Sequence, residues 1–258
     1  MSERHTVIFV GAGPGDPELI TLKGQRALAE ADLILYTGSL IPRELLSHAR
    51  PTAEVVDTAS MDLGAIVARL VEAYRNGRRA VRLHTGDPSL YSTIHEQIVM
   101  LQQAQVPYRV IPGVTAGAAA AATLAQELTI PEVTQTVIYT RAAGRTPVPE
   151  GEALGRLAVH GSTLVIYLSI QLIDKVVQEL LPHYGPETPV AVVYRVSWPD
   201  EKVVRGTLDT IAGLVREAGI NRQALILVGR ALAPDEAGRS KLYDETFSHG
   251  YREAKPGT

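Results

Sequence analysis

Short β-branched runs alternate with helix-periodic stretches along the first half of the chain, which is the rhythm of βαβ units built on a parallel sheet. Strands are expected at residues 6–10, 33–36, 54–56, 80–84 and 108–111. Between two of them, Leu63, Ile66, Val67, Leu70, Val71 and Tyr74 recur at helical spacing, starting after Asp62 as N-cap and stopping before Gly77. That stripe is read as core. Residues 114–128 carry five successive alanines and predict a slim helix. Its small side chains suit either a closely approaching ligand or backbone, or a tightly packed interdomain helix.

After Pro131 the pattern changes. Residues 133–140 and 162–168 read as strands, and VVYRVS at 192–197 and KVVRGT at 202–207 flank a short WPDE turn, as in an antiparallel hairpin. A helical pattern at about 208–218 and the apolar run at 224–229 complete a second α/β unit with a mixed sheet. The chain is accordingly divided into an N-terminal α/β domain (1–113), a C-terminal α/β domain (114–240) and a tail (241–258) that lacks an apolar period.

Composition narrows the functional classes. The chain has 258 residues, enough for two domains with their own cores. It has no cysteine, which removes disulfides, thiolate metal sites and a cysteine nucleophile. A net charge of -3 with no Lys/Arg block argues against a nucleic-acid partner. No apolar run approaches the ~18 residues of a membrane helix, and the first residues lack the features of a signal peptide. A cytoplasmic protein with no membrane partner is expected. The seven histidines include no i,i+4 pair and no HExxH, so no metal is expected, and no GxSxG elbow supports hydrolysis.

Two Gly-Asp-Pro turns carry the candidate chemistry. GAGPGDP at 11–17 follows an apolar strand, where nucleotide-binding turns sit. Asp16 stands where a dinucleotide fingerprint has its third glycine, however, and Pro14 has no N–H to offer a pyrophosphate. A dinucleotide site, a structural turn and another ligand-facing role stay open for this loop. HTGDPSLY at 84–91 is the second such turn, and is either ligand-facing at a strand's carboxyl end or simply a helix start. Arg141 and Arg145, in RAAGRTPVPE, suit either substrate carboxylates or a solvated basic loop.

Taken in order, GAGPGDPELIT at 11–21, HTGDPSLYST at 84–93, IPGVTAGAAAA at 111–121 and the hairpin at 189–208 resemble the tetrapyrrole (precorrin/uroporphyrin) methylase family over about residues 5–232. Within it, YTGSLIP at 36–42, LTIPEVTQTVIYTRAAGRTPVPE at 128–150 and VSWPDEKVVRGT at 196–207 resemble the branch that methylates C11 of precorrin-4 or cobalt-precorrin-4 in cobalamin synthesis. The resemblance implies two α/β domains, the first with a mostly parallel and the second with a mixed sheet. It implies S-adenosylmethionine in an interdomain cleft, leaving as S-adenosylhomocysteine, a tetrapyrrole substrate and a homodimer.

By motif position the cofactor contacts would be Pro14, Thr85, Gly86, Asp87, Leu90, Thr115, Ala116, Leu168, Val196 and Ala224; Thr85 stands where the family commonly has glycine. Arg141 and Arg145, with Arg43 after the SLIP turn, would meet ring carboxylates. Methyl transfer needs placement more than an acid–base couple; if a base acts, Asp16 is the candidate by position. Methylation at another ring position, a nicotinamide-dependent oxidoreductase and a ligand-binding regulator without turnover are the alternatives.

Overall fold

The computed structural model describes residues 6–233, 240 and 243–254. The chain divides into two units, Met1–Ala119 with Arg195–Asp200, and Ala120–Tyr194 with Glu201–Thr258.

The first unit is built on β1 (Val7–Gly11), β2 (Leu33–Tyr36), β3 (Glu54–Asp57), β4 (Ala80–His84) and β5 (Tyr108–Ile111), in the order β3-β2-β4-β1-β5. Every pairing is parallel. Side chains alternate between two faces along each strand. Val10, Ile34 and Leu83 therefore pack with Leu28, Ile41 and Leu45 on one side. Phe9, Leu33 and Leu35 pack with Val67, Leu70 and Leu101 on the other. Burial on both faces explains why β2 is an uninterrupted apolar run. The helices are α1 (Leu22–Glu30), α2 (Leu63–Arg75), α3 (Ile94–Gln103) and α4 (Ala116–Thr123). In α2 the Asp62 carboxylate accepts the Ala65 N–H at 2.8 Å, and Ile66, Val67, Leu70 and Ala73 are buried, as the sequence pattern predicts. Full burial of a side chain such as Leu70 contributes about 1.5–3 kcal/mol.

The second unit holds β6 (Val137–Arg141), α5 (Leu154–Ala158), β7 (Thr163–Tyr167), α6 (Ile173–Tyr184), β8 (Pro189–Tyr194), β9 (Lys202–Thr207), α7 (Ile211–Glu217) and β10 (Ala224–Val228). Its sheet runs β6-β7-β10-β8-β9. The β6·β7 pair is parallel and the remaining pairs are antiparallel, so the sheet is mixed. Leu164, Ile166, Val176, Leu180, Val192, Ile211 and Ile226 form its core.

Three details differ from the sequence reading. The strand expected through Ser197 stops at Tyr194, because Arg195 (φ 46°) and Ser197 (φ 62°) take left-handed backbone values that a strand cannot carry. Residues 195–200, read as part of the second domain, belong to the first unit, and the division falls inside α4 and not at Gly113. In the described part of the expected tail, His249 and Arg252 pair in an antiparallel bridge and the Arg252 guanidinium donates to the Asp244 carbonyl. The rest of that tail lies outside the described residues. No described helix is long and apolar enough to cross a membrane.

Candidate functional site

The strand order sets the carboxyl ends of β4, β1 and β5 side by side, and ligands of open α/β sheets bind at such ends. The loops that follow them are joined directly. Gly13 N–H donates to the Gly86 carbonyl (3.2 Å) and Gly86 N–H to the Gly13 carbonyl (2.7 Å), which clips the first Gly-Asp-Pro loop to the second. Both residues have positive φ, 81° and 62°. At the base of the clip, a Cβ on Gly11 would lie 2.6 Å from Gly113 Cα and 2.8 Å from the Gly86 carbonyl oxygen. Glycine is needed there because three chain segments cross without room for a methyl group.

Asp87 completes the junction. Its Oδ2 accepts Gly113 N–H at 2.8 Å, and its Oδ1 accepts the N–H and the hydroxyl of Ser89. Burial opposes ionisation of this carboxyl, but the bonds from Ser89 and Gly113 outweigh it and hold the group below its ordinary range. A carboxylate has about four lone-pair sites, so Oδ2 keeps capacity for a further donor. Gly86 also lies close to the start of α4: a Cβ on it would be 3.8 Å from Ala116 N and 3.9 Å from Thr115 Cα. Of the expected cofactor contacts, the structure thus brings together Pro14, Gly86, Asp87, Thr115 and Ala116, with Thr85 and half-buried Leu90 on the same β4 loop. The Thr85 hydroxyl donates to the Leu40 carbonyl at 3.1 Å.

A cavity of about 560 Å³ adjoins the first loop, lined by Gly15, Asp16, Pro17, Pro42 and Glu44 together with residues of the 195–200 connection. Trp198 fixes that connection, since its indole N–H donates to the Pro14 carbonyl at 3.0 Å and the Arg195 guanidinium stacks 4.2 Å from its ring centroid. Asp16 N–H donates to the Ser197 hydroxyl at 2.9 Å, and Asp16 Oδ1 accepts Glu18 N–H at 2.8 Å, capping a short 3-10 turn. The candidate base is therefore already a cap.

A second, smaller cavity of about 160 Å³ lies beside β4, lined in part by Thr37, Arg82, His84, Tyr91 and Thr93. Arg82 and His84 are each only 6% exposed. Arg82 donates to the hydroxyls of Thr58 (3.0 Å) and Thr37 (3.4 Å), while its Nε and the Nε2 of His84 have no partner. Burial pulls Arg82 down to about 10, which leaves it charged at neutral pH. Burial, then the Arg82 charge, pushes His84 down to about 3 against a bond to the Ser92 backbone, so its ring is neutral. Tyr91 and Thr93 both have φ of 53°, strained values for such residues and of a kind that clusters at ligand sites.

The other expected site residues are placed differently from one another. Val196 is buried in the 195–200 connection and not in a strand. Leu168 follows β7 in the second unit, is 72% exposed and has φ of 54°. Ala224, the first residue of β10, is packed in that unit's core. Arg141 does not present a free guanidinium: it donates to the carbonyls of Ala142, Thr146 and Pro147, stapling its own loop. Arg145 and Arg43 are exposed.

Sequence reasoning missed Arg82, His84, Arg195 and Trp198. Two signals were present, a cation in the middle of an apolar strand (AVRLH) and the chain's one tryptophan in the expected hairpin turn. Among the described residues, no group of three His, Cys, Asp or Glu side chains could hold a metal ion.

Residues 6–212 match the family of Tetrapyrrole (Corrin/Porphyrin) Methylases. The chain is 52% identical over 255 residues to the cobalt-precorrin-4 C(11)-methyltransferase of Methanocaldococcus jannaschii, covering 98% of each. It is 53% identical over 247 residues to the precorrin-4 C(11)-methyltransferase of Pseudomonas aeruginosa, covering 96% of this chain and 98% of that one. The X-ray structure of a cobalt precorrin-4 methyltransferase, a cobalamin biosynthetic enzyme, superposes with a TM-score of 0.87 at 48% identity, over 89% of this chain and 96% of that one. A uroporphyrin-III C-methyl transferase from Thermus thermophilus complexed with S-adenyl homocysteine superposes with a TM-score of 0.70 at 29% identity, over 88% and 93% of the two chains. The family model and these relatives make the chain a methyltransferase. The chain belongs to the tetrapyrrole methylases.

Proposed function

We propose that this protein transfers a methyl group from S-adenosylmethionine to C11 of precorrin-4 or its cobalt-bearing counterpart, as a cytoplasmic homodimer. The observation that carries the reading is identity of about half, over nearly the whole chain, with relatives named for that reaction in both forms. When bound, the cofactor supplies an electrophilic methyl on a sulfonium sulfur.

The donor set beside the glycine clip fits such a zwitterionic nucleoside. Asp87 Oδ2 can accept an ammonium or hydroxyl proton, the Thr85 hydroxyl oxygen can accept a bond while donating to Leu40, and Pro14 offers no N–H to a phosphate. The chain's task is placement: a rigid junction fixes the cofactor loops, and effective molarity supplies the acceleration. Arg145, exposed beside the Arg141 staple, is the proposed contact for a ring carboxylate, with Arg43 in support.

S-adenosylhomocysteine is expected to raise Tm, by about 2.7 kcal/mol of added stability at a hundredfold excess over Kd, and NADH to leave it unchanged. Incubation with S-adenosylmethionine and precorrin-4, with and without cobalt, followed by mass spectrometry and carbon NMR, is expected to locate one new methyl at C11. Tight NADH binding without a response to S-adenosylhomocysteine, or a methyl at another carbon, overturns the reading.

The two loop arginines are expected to separate. Arg145→Ala raises KM for the tetrapyrrole and leaves the protein's stability unchanged. Arg141→Ala frees its loop, which removes charged hydrogen bonds worth about 1.5–3 kcal/mol each at most and less in this exposed setting. Equal KM values for Arg145→Ala and wild type would mark its loop as a solvated turn; protease sensitivity of residues 142–147 in Arg141→Ala checks the staple.

A further inference from the structure

Gly15 lies in the middle of the first Gly-Asp-Pro loop, and glycine has more backbone freedom than any other residue. Each peptide unit is planar, so a bond to its one carbonyl or N–H directs the whole plane. Both units that flank Gly15 are held from outside the loop. The unit before it carries the Pro14 carbonyl, which accepts the Trp198 indole N–H at 3.0 Å. The unit after it carries the Asp16 N–H, which donates to the Ser197 hydroxyl at 2.9 Å. The indole also fills the space that a side chain would take, since a Cβ on Gly15 would lie 2.2 Å from Trp198 Cδ1. Trp198 is itself fixed. Its own backbone N–H donates to the Arg195 carbonyl at 2.9 Å, and the guanidinium stacked on its ring donates from Nε to the Asp200 carboxylate at 2.7 Å. Arg195 and Ser197 keep left-handed φ values in this turn, a strain that persists only where the surroundings over-determine it.

We propose that Trp198 is a positioning residue for the cofactor, acting through the Pro14 carbonyl, with Ser197 as the second clamp on Gly15. The inference rests on the methyltransferase reading, in which Pro14 touches the cofactor. The clip to Gly86 anchors the loop at Gly13, and the Asp16 carboxylate anchors it again as the cap of the next turn. Gly15 is the joint between these anchors, and the two clamps remove its freedom before any ligand arrives. Ordering the loop in advance lowers the cost of binding. It also serves the transfer step, where a misplacement of about 1 Å costs on the order of a hundredfold in rate. The indole ring lines the cavity of about 560 Å³ as well. Its single polar atom, a donor only, is nevertheless committed to the loop and not to the cavity.

The chain has one tryptophan, so growth of a tryptophan-requiring host on 3-benzothienylalanine alters this residue alone, replacing the indole N–H by sulfur and keeping the shape of the ring. The substituted protein is expected to bind S-adenosylhomocysteine about tenfold more weakly by calorimetry, the effect of one lost hydrogen bond, with KM for the tetrapyrrole unchanged. Hydrogen exchange at the Asp16 amide is expected to quicken in the ligand-free protein. Substitution by 5-fluorotryptophan, which keeps the N–H, is expected to restore both. Wild-type cofactor affinity in the benzothienyl protein, whether or not Tm or exchange changes, marks the bond as structural and overturns the proposal. A tenfold rise in KM for the tetrapyrrole at unchanged cofactor affinity assigns the ring to the cavity, and overturns it too. Ser197→Ala guards against failure of the analogue to fold: it frees the unit on the other side of Gly15, and wild-type cofactor affinity in it removes the clamp. Absence of S-adenosylhomocysteine binding by the wild type overturns the methyltransferase reading instead, and Asp16 exchange then still decides whether the tryptophan holds the loop.

Discussion

Gly113→Ala is expected to destabilise the protein by about 1–3 kcal/mol, the usual penalty for forcing a methyl group into a packed site, and to weaken S-adenosylhomocysteine binding more than tenfold. A Cβ at this position would press on the Gly86 carbonyl oxygen and lie 2.8 Å from Gly11 Cα. These are backbone atoms with no rotamer to yield. Retreat of the chain would also break the Gly113–Asp87 bond or pull on the Gly13–Gly86 clip. The strain therefore passes into both loops proposed to hold the cofactor. Gly213→Ala in α7, where nothing lies within 4 Å of the added carbon, serves as control and is expected to stabilise by up to about 1 kcal/mol through helix propensity. Denaturant unfolding and calorimetry of the two variants decide it, and wild-type behaviour of Gly113→Ala would mean that the crossing is loose.

Asp87→Ala is expected to lower stability and cofactor affinity together. Sequence position alone assigns this carboxylate to the ligand and predicts an intact fold. The structure adds three protein donors that it satisfies, at Gly113 and Ser89, and hydrogen bonds to a charged group are worth about 1.5–3 kcal/mol each. The sign of the pH dependence follows from the depressed folded pKa. Its contribution is complete above the unfolded value, about 3.9, and is lost as pH falls through the folded value. The stability gap between wild type and Asp87→Ala should therefore be constant from neutral pH to about pH 5 and should narrow at pH 3 and below. Equal stabilities at pH 7 would return Asp87 to a purely ligand-facing role.

The elements were legible wherever burial is periodic. β2, β4 and β5 run over the expected residues; for β2 the reason is that both faces of the parallel sheet are covered and the apolar run is continuous. The Asp62 cap and the stripe behind it gave α2 for the same reason. The 195–200 connection was misread because VVYRVS is strand-like in composition, while Arg195 and Ser197 take left-handed values and Ser197 and Trp198 bond the first loop, 181 and 184 residues away in sequence. In the site, the two Gly-Asp-Pro turns were visible as strand-end motifs, but what Asp87 holds depends on Gly113, 26 residues away. Arg141 shows the same limit in reverse: a guanidinium among prolines looks available until the carbonyls around it are placed. Arg82 and His84 passed as strand residues because period-2 patterning says which face a side chain takes, not whether its polar atoms find partners.

Residues 195–200 lie in the first unit while the strands on either side of them, β8 and β9, lie in the second. A gene cut at the boundary inside α4 would therefore not yield two modules. The first fragment would lack Trp198 and Ser197, leaving the Pro14 carbonyl and the Asp16 N–H without their partners. Chimaeras that exchange halves between relatives would pair a cofactor loop from one parent with a tryptophan from another. Recombination and circular permutation should succeed only when the first unit and this hexapeptide are inherited together, so the two units are bound to evolve as one transmissible piece.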